Sequence, residues 1–469
     1  MPFLQISIPV STQADEWTAA EVLRDEFTHV QSTDDAIDAT AALENTTEAS
    51  IELLSRFLSF VAGKLDEDAQ SDAARTSILL KSVKYFTSTY LTTQDVHVIS
   101  ASFDTEVRKT VLAAYFKAIA ALEAKKVADI PRGPSGALLA AAKGGSASVY
   151  AIFGGQGTNE VYFDELQTLY DIYKPYVAGF IQTVTRDILV PLVEESEEDT
   201  LYPHGLDVAS WLSGATPRPS VAYLASIPVS FPLIGLTQLV QYLVVCRASQ
   251  LTPGELRARL QGSTGHSQGL VSALCIAAST DFESFAANAA KALRWLFYSG
   301  LRGQQAFPVL ALEPSIIQDA VDGGEGTPSP MLLITGLQLK DLEGHIAKTN
   351  KHLPENSQIG VSLHNGPKAF VVTGPPRALY GLVTNLRKVR APGGLDQSKV
   401  PFSQRKPVFS VRFLVVGVPY HSKYLADVTD EVMDDLEGQE LWKKEDLGIP
   451  VYHTDNGECP KTSCTCIDI

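Results

Sequence analysis

Gly265-His266-Ser267-Gln268-Gly269 sets a serine between two glycines, and the apolar run Leu270, Val271, Leu274 and Ile276 follows it. The pattern predicts a sharp turn into a helix: small flanking residues permit the tight backbone, and the helix start can stabilise a developing negative charge. A serine displayed in this way points to acyl transfer through a covalent serine ester. The same string also occurs in ordinary loops, so the rest of the chain decides.

Upstream, the apolar strand Val149-Tyr150-Ala151-Ile152-Phe153 runs into Gly154-Gly155-Gln156-Gly157. A glycine cluster after a strand lets backbone N–H groups approach a ligand, but this one is neither a Walker loop nor a dinucleotide fingerprint. Helical patterns follow from Tyr162 to Val193, and the acidic run Glu194 to Asp199 reads as a solvated loop. Pro228, Pro232 and Gly235 punctuate the approach to a helix expected over Leu236 to Ala248. Residues 1–147 open with a strand-like segment, Phe3 to Ile8, then turn helical, with apolar residues at helical spacing over Ile51 to Leu65 and Val107 to Lys125. They read as a mainly helical adapter region.

Downstream the texture changes. Leu332 to Ile334, Leu339 to Thr349, Ile359 to Leu363, Ala369 to Thr373, Arg377 to Val389 and Ser410 to Val416 alternate in a β-α-β-β-α-β order, which fits a small subdomain at 331–413 inserted in a larger α/β unit. That unit is expected over 148–330 and 414–458, with the ligand cleft between the two.

Composition narrows the function classes. With 38 basic and 54 acidic residues the formal charge is −16, which argues against nonspecific nucleic-acid binding. No run reads as a membrane span, and Met1 to Val10 lacks the basic start and long apolar core of a signal peptide, so a cytoplasmic, membrane-free protein is expected. Five cysteines make no disulfide framework, and no metal site is evident. An anionic ligand would need a local basic patch, and Arg387, Lys388, Arg390, Lys399, Arg405, Lys406 and Arg412, opposed locally by Asp396, are the candidate. A solvated loop is the other reading of the same residues.

A serine hydroxyl needs a base within hydrogen-bonding reach. His266 adjoins the serine, where consecutive side chains on a tight turn diverge. His421, in Val418-Pro419-Tyr420-His421-Ser422, follows a strand at a loop start, and His364, beside Asn365 and Gly366 at a strand end, competes with it.

Five separated motifs in one order now carry a resemblance: Ala151 to Gly157, Gly265 to Gly269, Gly300 to Pro308, Leu386 to Phe402 and Pro419 to Ser422. From about residue 3 to Glu458 the chain resembles the N-terminal acetyltransferase (starter acyl transferase) domain of the fungal fatty acid synthase beta subunit. The resemblance implies an α/β acyltransferase fold, malonyl-transferase-like, with an inserted ferredoxin-like subdomain behind the helical N-terminal region. It implies Ser267 as nucleophile, His421 as base, the backbone N–H groups of Gln156 and Gln268 as oxyanion hole, and His266 and Asn365 in support. The implied reaction moves a starter acyl group, acetyl by expectation, from coenzyme A to the phosphopantetheine thiol of an acyl carrier protein in fatty acid biosynthesis, with no bound cofactor. Other synthase subunits and domains are the implied partners. Arg387, Lys388 and Arg390 would meet coenzyme A phosphates.

Malonyl-transferring relatives place an arginine five residues before the glutamine of the Gly300 to Pro308 helix, where it pairs with the malonyl carboxylate. That position is Ser299 here, and Arg302 is displaced from it by about 60° around the helix. An uncharged starter is therefore favoured, and the small Ser299 leaves room for a longer one, as in polyketide-linked synthesis. After Glu458 the family pattern stops, and residues 459–469, with Cys459, Cys464 and Cys466, read as a divergent, disordered tail of a truncated or mis-spliced product. Two rivals remain: a carboxyl-ester hydrolase, which would release acetate without a carrier thiol, and a catalytically impaired scaffold fragment, which would form no acyl-serine.

Overall fold

The computed structural model describes residues 7–8, 14–33, 46–65, 72–134, 136–157, 159–391, 397–439 and 441–454. The tail at 459–469 and Asp396 lie outside them, as does the Phe3 to Ile8 strand apart from Ser7 and Ile8, which carry no regular structure. The described strands are β1 (Tyr150–Phe153), β2 (Gly262–Gly265), β3 (Met331–Thr335), β4 (Gly360–Gly366), β5 (Ala369–Thr373), β6 (Ser410–Phe413) and β7 (Val451–Tyr452). The chain divides into two compact units. One joins residues 1–149 with 165–182 and 240–260, and the other joins 150–164, 183–239 and 261–469.

The first unit is helical. Thr47–Gly63 packs on Thr105–Ala124 and Asp72–Tyr90, burying Leu54, Leu58 and Val61 against a core that includes Phe86, Val111, Phe116 and Ile119. Helical spacing of these apolar residues is what confines them to one stripe. Thr46 and Asp104 cap Thr47–Gly63 and Thr105–Ala124 by accepting backbone N–H bonds from Ala49 and Glu106, each cap contributing about 1 kcal/mol.

The second unit holds two sheets. β1, β2 and β7 are parallel in the order β1-β2-β7, with Phe153 paired to Gly265 and Thr264 to Tyr452. The antiparallel sheet runs β4-β5-β3-β6, and the helices Leu339–Asn350 and Pro376–Val389 complete the β-α-β-β-α-β order of a ferredoxin-like unit. Its core includes Leu332, Ile334, Phe370, Val372, Leu382 and Val411.

Two expectations change. The helix expected from Leu236 begins at Ile227 and runs to Ala248 through Pro232. Pro228 sits in its first turn, where a missing N–H costs nothing, and Pro232 leaves the Pro228 carbonyl without its helical donor. The Tyr202 hydroxyl donates to that carbonyl instead, at 3.4 Å. By length and composition this helix and the run Tyr162–Ser196 could each cross a bilayer, but Ile227–Ala248 is mostly buried within the protein, the setting of a core helix. The acidic run is also partly helical: Val190–Ser196 carries Glu194 and Glu195, and the turn comes at Glu197, in the left-handed region at φ 53°.

Candidate active site

β2 ends at Gly265, and the helix Gly269–Ala278 starts four residues later. A reversal this abrupt brings backbone against backbone. A Cβ on Gly265 would lie 2.0 Å from the Gly269 carbonyl carbon, and one on Gly269 would lie 2.5 Å from the carbonyl oxygens of Phe153 and Gly154. Only glycine fits at either position. Between them Ser267 takes φ 52°, a left-handed conformation that costs a side-chain-bearing residue about 1–2 kcal/mol. His266 N–H donates to the Phe153 carbonyl at 2.9 Å, and Leu270 N–H donates to the Ser267 carbonyl at 3.0 Å. The strained serine is thus held at both sides.

Ser267 Oγ lies 2.9 Å from Nε2 of His421, 154 positions away. His421 follows β6 in a loop and is itself left-handed, at φ 59°. Its edge reaches solvent, but the protein atoms crowded about the ring, and secondarily His266, hold its pKa below the ordinary imidazole range. The imidazole is therefore neutral at pH 7 and able to accept a proton. Among the described residues no hydrogen bond reaches its other ring nitrogen. The neighbouring Tyr420 is half-buried; its hydroxyl donates to the Ser299 carbonyl at 3.1 Å and its ring centroid lies 5.0 Å from that of Phe231.

The remaining expected residues fall into groups. His266 turns away from the nucleophile, with Nε2 3.2 Å from Oδ1 of Asn365 in β4. His364 points its ring at Phe370 instead, 5.3 Å between centroids. The side chains of Gln156 and Gln268 meet, the Gln156 amide donating to Gln268 Oε1 at 2.7 Å. Among the described residues neither backbone N–H of these two glutamines has an acceptor. Ser299 is buried in the helix Phe282–Ala306, its hydroxyl donating to the Trp295 carbonyl at 2.8 Å. Arg302 is bound bidentately by Asp435, at 2.7 and 2.6 Å.

The basic patch has partners that its local sequence did not reveal. Glu325, 0% exposed, receives Arg387 at 2.6 Å and Arg390 at 3.3 Å, and Asp319 takes a second face of Arg387 at 2.6 Å. Carboxylates from outside the 387–412 stretch are therefore set against these cations. Lys388 stays exposed, with no ion pair among the described residues. No cluster of potential metal ligands occurs among the described residues.

A parallel α/β sheet that turns through a strained serine into a helix, with a ferredoxin-like unit inserted after it, is an acyltransferase fold. The chain belongs to the family described as starter unit:ACP transacylase in aflatoxin biosynthesis, whose model matches residues 151–407. The N-terminal domain in fatty acid synthase subunit beta matches residues 2–122. Relatives include fatty acid synthase subunit beta of Schizosaccharomyces pombe, 38% identical over 97% of this chain and 21% of that protein. The Saccharomyces cerevisiae subunit is 39% identical over 88% of this chain and 20% of its own length. The chain thus spans about a fifth of the curated relatives it matches. Among solved structures, a malonyl-transacylase in complex with a type II polyketide synthase acyl-carrier protein is 15% identical, over 67% of this chain and 77% of that one, with a TM-score of 0.42.

Proposed function

We propose that this chain transfers an uncharged starter acyl group, acetyl in the first instance, from coenzyme A to the phosphopantetheine thiol of an acyl carrier protein. The observation that carries the reading is the 2.9 Å contact between Ser267 Oγ and His421 Nε2, made at a glycine-flanked turn beside two backbone N–H groups that have no acceptor among the described residues.

In the first half-reaction His421 Nε2 takes the Ser267 proton as Oγ attacks the thioester carbonyl. The N–H groups of Gln156 and Gln268 hold the oxyanion, each worth about 10²–10³ in rate. Collapse expels the coenzyme thiolate, which takes the proton back from His421 and leaves an acyl ester on Ser267. In the second half-reaction the carrier thiol gives its proton to His421 and attacks the ester. The second collapse returns Ser267 its proton and releases the acyl carrier thioester.

Selection for an uncharged group follows from Ser299 at the family's arginine position and from Arg302, which Asp435 already binds on two nitrogens. Of the cations expected at the coenzyme phosphates, Lys388 is the one retained, since Arg387 and Arg390 serve the buried Glu325. We place residues 1–147 as an adapter for other synthase subunits, in the cytoplasm, with no nucleic-acid or membrane partner.

Intact-protein mass spectrometry after incubation with acetyl-coenzyme A tests the reading. A gain of one acetyl group that is absent from Ser267→Ala supports it, and a preference for hexanoyl-coenzyme A in competition assigns a longer starter. Acetate release without a carrier thiol indicates a hydrolase. Folded protein that is never acylated overturns the reading in favour of a scaffold.

A further inference from the structure

Behind the nucleophile's turn lies a chain of side-chain amides with a single direction. Asn159 Oδ1 accepts the Gly157 backbone N–H at 3.1 Å. Asn159 Nδ2 donates to Gln156 Oε1, which also accepts from Ser230 Oγ at 3.5 Å. Gln156 Nε2 donates to Gln268 Oε1 at 2.7 Å, and Gln268 Nε2 donates to the Phe231 carbonyl at 3.4 Å. The chain is anchored on backbone at both ends. Gln268, Asn159 and Ser230 are 1%, 2% and 0% exposed, so no water substitutes for a lost partner without cost. A second tie runs parallel to the first: Gln238 donates to the Gly154 carbonyl and accepts from the Ser272 hydroxyl, both at 2.7 Å.

We propose that the relay Asn159–Gln156–Gln268 is a positioning device that fixes the distance between the glycine loop and the serine turn, and with it the spacing of the two N–H groups that would bind an oxyanion. The inference rests on the acyl-serine reading above. Its logic is geometric. The two N–H groups belong to Gln156 and Gln268 themselves, in segments 112 positions apart in the chain. Main-chain donors cannot be set relative to one another by their own side chains unless those side chains touch, and here they do. Each amide uses its oxygen towards one neighbour and its nitrogen towards the next, so reversing one amide sets oxygen against oxygen along the row.

That directionality supplies the test. In Gln156→Glu the new carboxylate puts an acceptor against Gln268 Oε1; once protonated, its hydroxyl can donate there and restore the row. The single-turnover acylation rate of the full chain with acetyl-coenzyme A is read by quenched intact mass spectrometry from pH 8 to pH 5, for wild type and variant. The midpoint of the His421 limb is fitted for each protein before the ratio is taken, because a carboxylate at 156 favours the imidazolium and raises it. The expected result is a variant about tenfold or more slower at pH 8, with the ratio to wild type climbing several-fold as pH falls. A misfolded variant would not recover in this way. Gln156→Met and Gln268→Met give an independent arm: if the pair acts as a unit, the double variant is about as slow as either single one. Wild type that is never acylated overturns the acyl-serine reading and this one together. Acylated wild type with a flat ratio and independent, multiplicative losses overturns the relay alone.

Discussion

Ser267 and His421 approach to 2.9 Å with both backbones in the left-handed region, at φ 52° and 59°. Two side-chain-bearing residues held in that region within one contact store strain that local sequence would release, about 1–2 kcal/mol each. The strain aims the two side chains at each other. Ser267→Gly should therefore abolish acylation as completely as Ser267→Ala, yet unfold at higher urea, by about 0.5–1 kcal/mol, because glycine accepts positive φ and alanine does not. Equilibrium unfolding of the two variants, side by side with their acylation, checks this.

The acylation rate should fall on acidification with a midpoint below the ordinary histidine value of about 6.5, because burial first and His266 second favour the neutral form of His421. His266→Asn removes the second cause, so its midpoint should move up. The same shift links to stability. A histidine whose folded pKa is depressed contributes stability in full above its unfolded value, and the contribution is lost as pH falls through the folded one. Rate–pH profiles with acetyl-coenzyme A, and urea midpoints across the same range, check both signs.

Much of this architecture was legible because its periodicity is clean. Ala369–Thr373 matches its expected bounds, and Leu339–Asn350 and Pro376–Val389 differ from theirs by one residue, since glycine and proline mark the ends of alternating or helical apolar runs. Ile227 was missed as a helix start because Pro228 and Pro232 read as breakers, and only the tertiary donor Tyr202 answers the carbonyl that Pro232 leaves free. At the site, the residues alone set His266 aside and left His364 and His421 open, and the resemblance chose between them. The buried amides were silent in sequence: Asn159 and Ser230 lie 71 positions apart, and no local pattern announces that two polar side chains will satisfy each other inside a core.

Long-range pairing also changes what a charge substitution reports. Glu325 is 0% exposed and holds both Arg387 and Arg390, so Arg387→Ala should cost about 3–5 kcal/mol by taking the main partner from a buried carboxylate. Glu325→Ala should destabilise less, because the guanidiniums it leaves are partly exposed and Asp319 still binds Arg387, and neither loss reports on substrate binding. Lys388→Glu is the informative change for coenzyme recognition: with unfolding unchanged, a several-fold rise in the Michaelis constant for acetyl-coenzyme A is expected, and an unchanged constant removes Lys388 from the phosphate site.

Gly303 lies against the ring of Tyr420, the residue before the base. A Cβ there would sit 2.7 Å from the Tyr420 hydroxyl and 3.1 Å from Cζ, and that hydroxyl is donated to the Ser299 carbonyl at 3.1 Å. Gly303→Ala should push the phenol off its acceptor and displace the adjacent His421, slowing acylation and costing about 1–3 kcal/mol through overpacking. Tyr420→Phe loses the same hydrogen bond, about 1 kcal/mol, but leaves the ring against Phe231. Placing Gly303→Ala on the Tyr420→Phe background removes the nearest of the clashing atoms, so the double variant should be less impaired than the two single losses combined. A thermodynamic cycle on unfolding free energy and acylation rate reads the coupling. Strict additivity in both would mean that the Tyr420 hydroxyl does not transmit the position of Gly303 to His421.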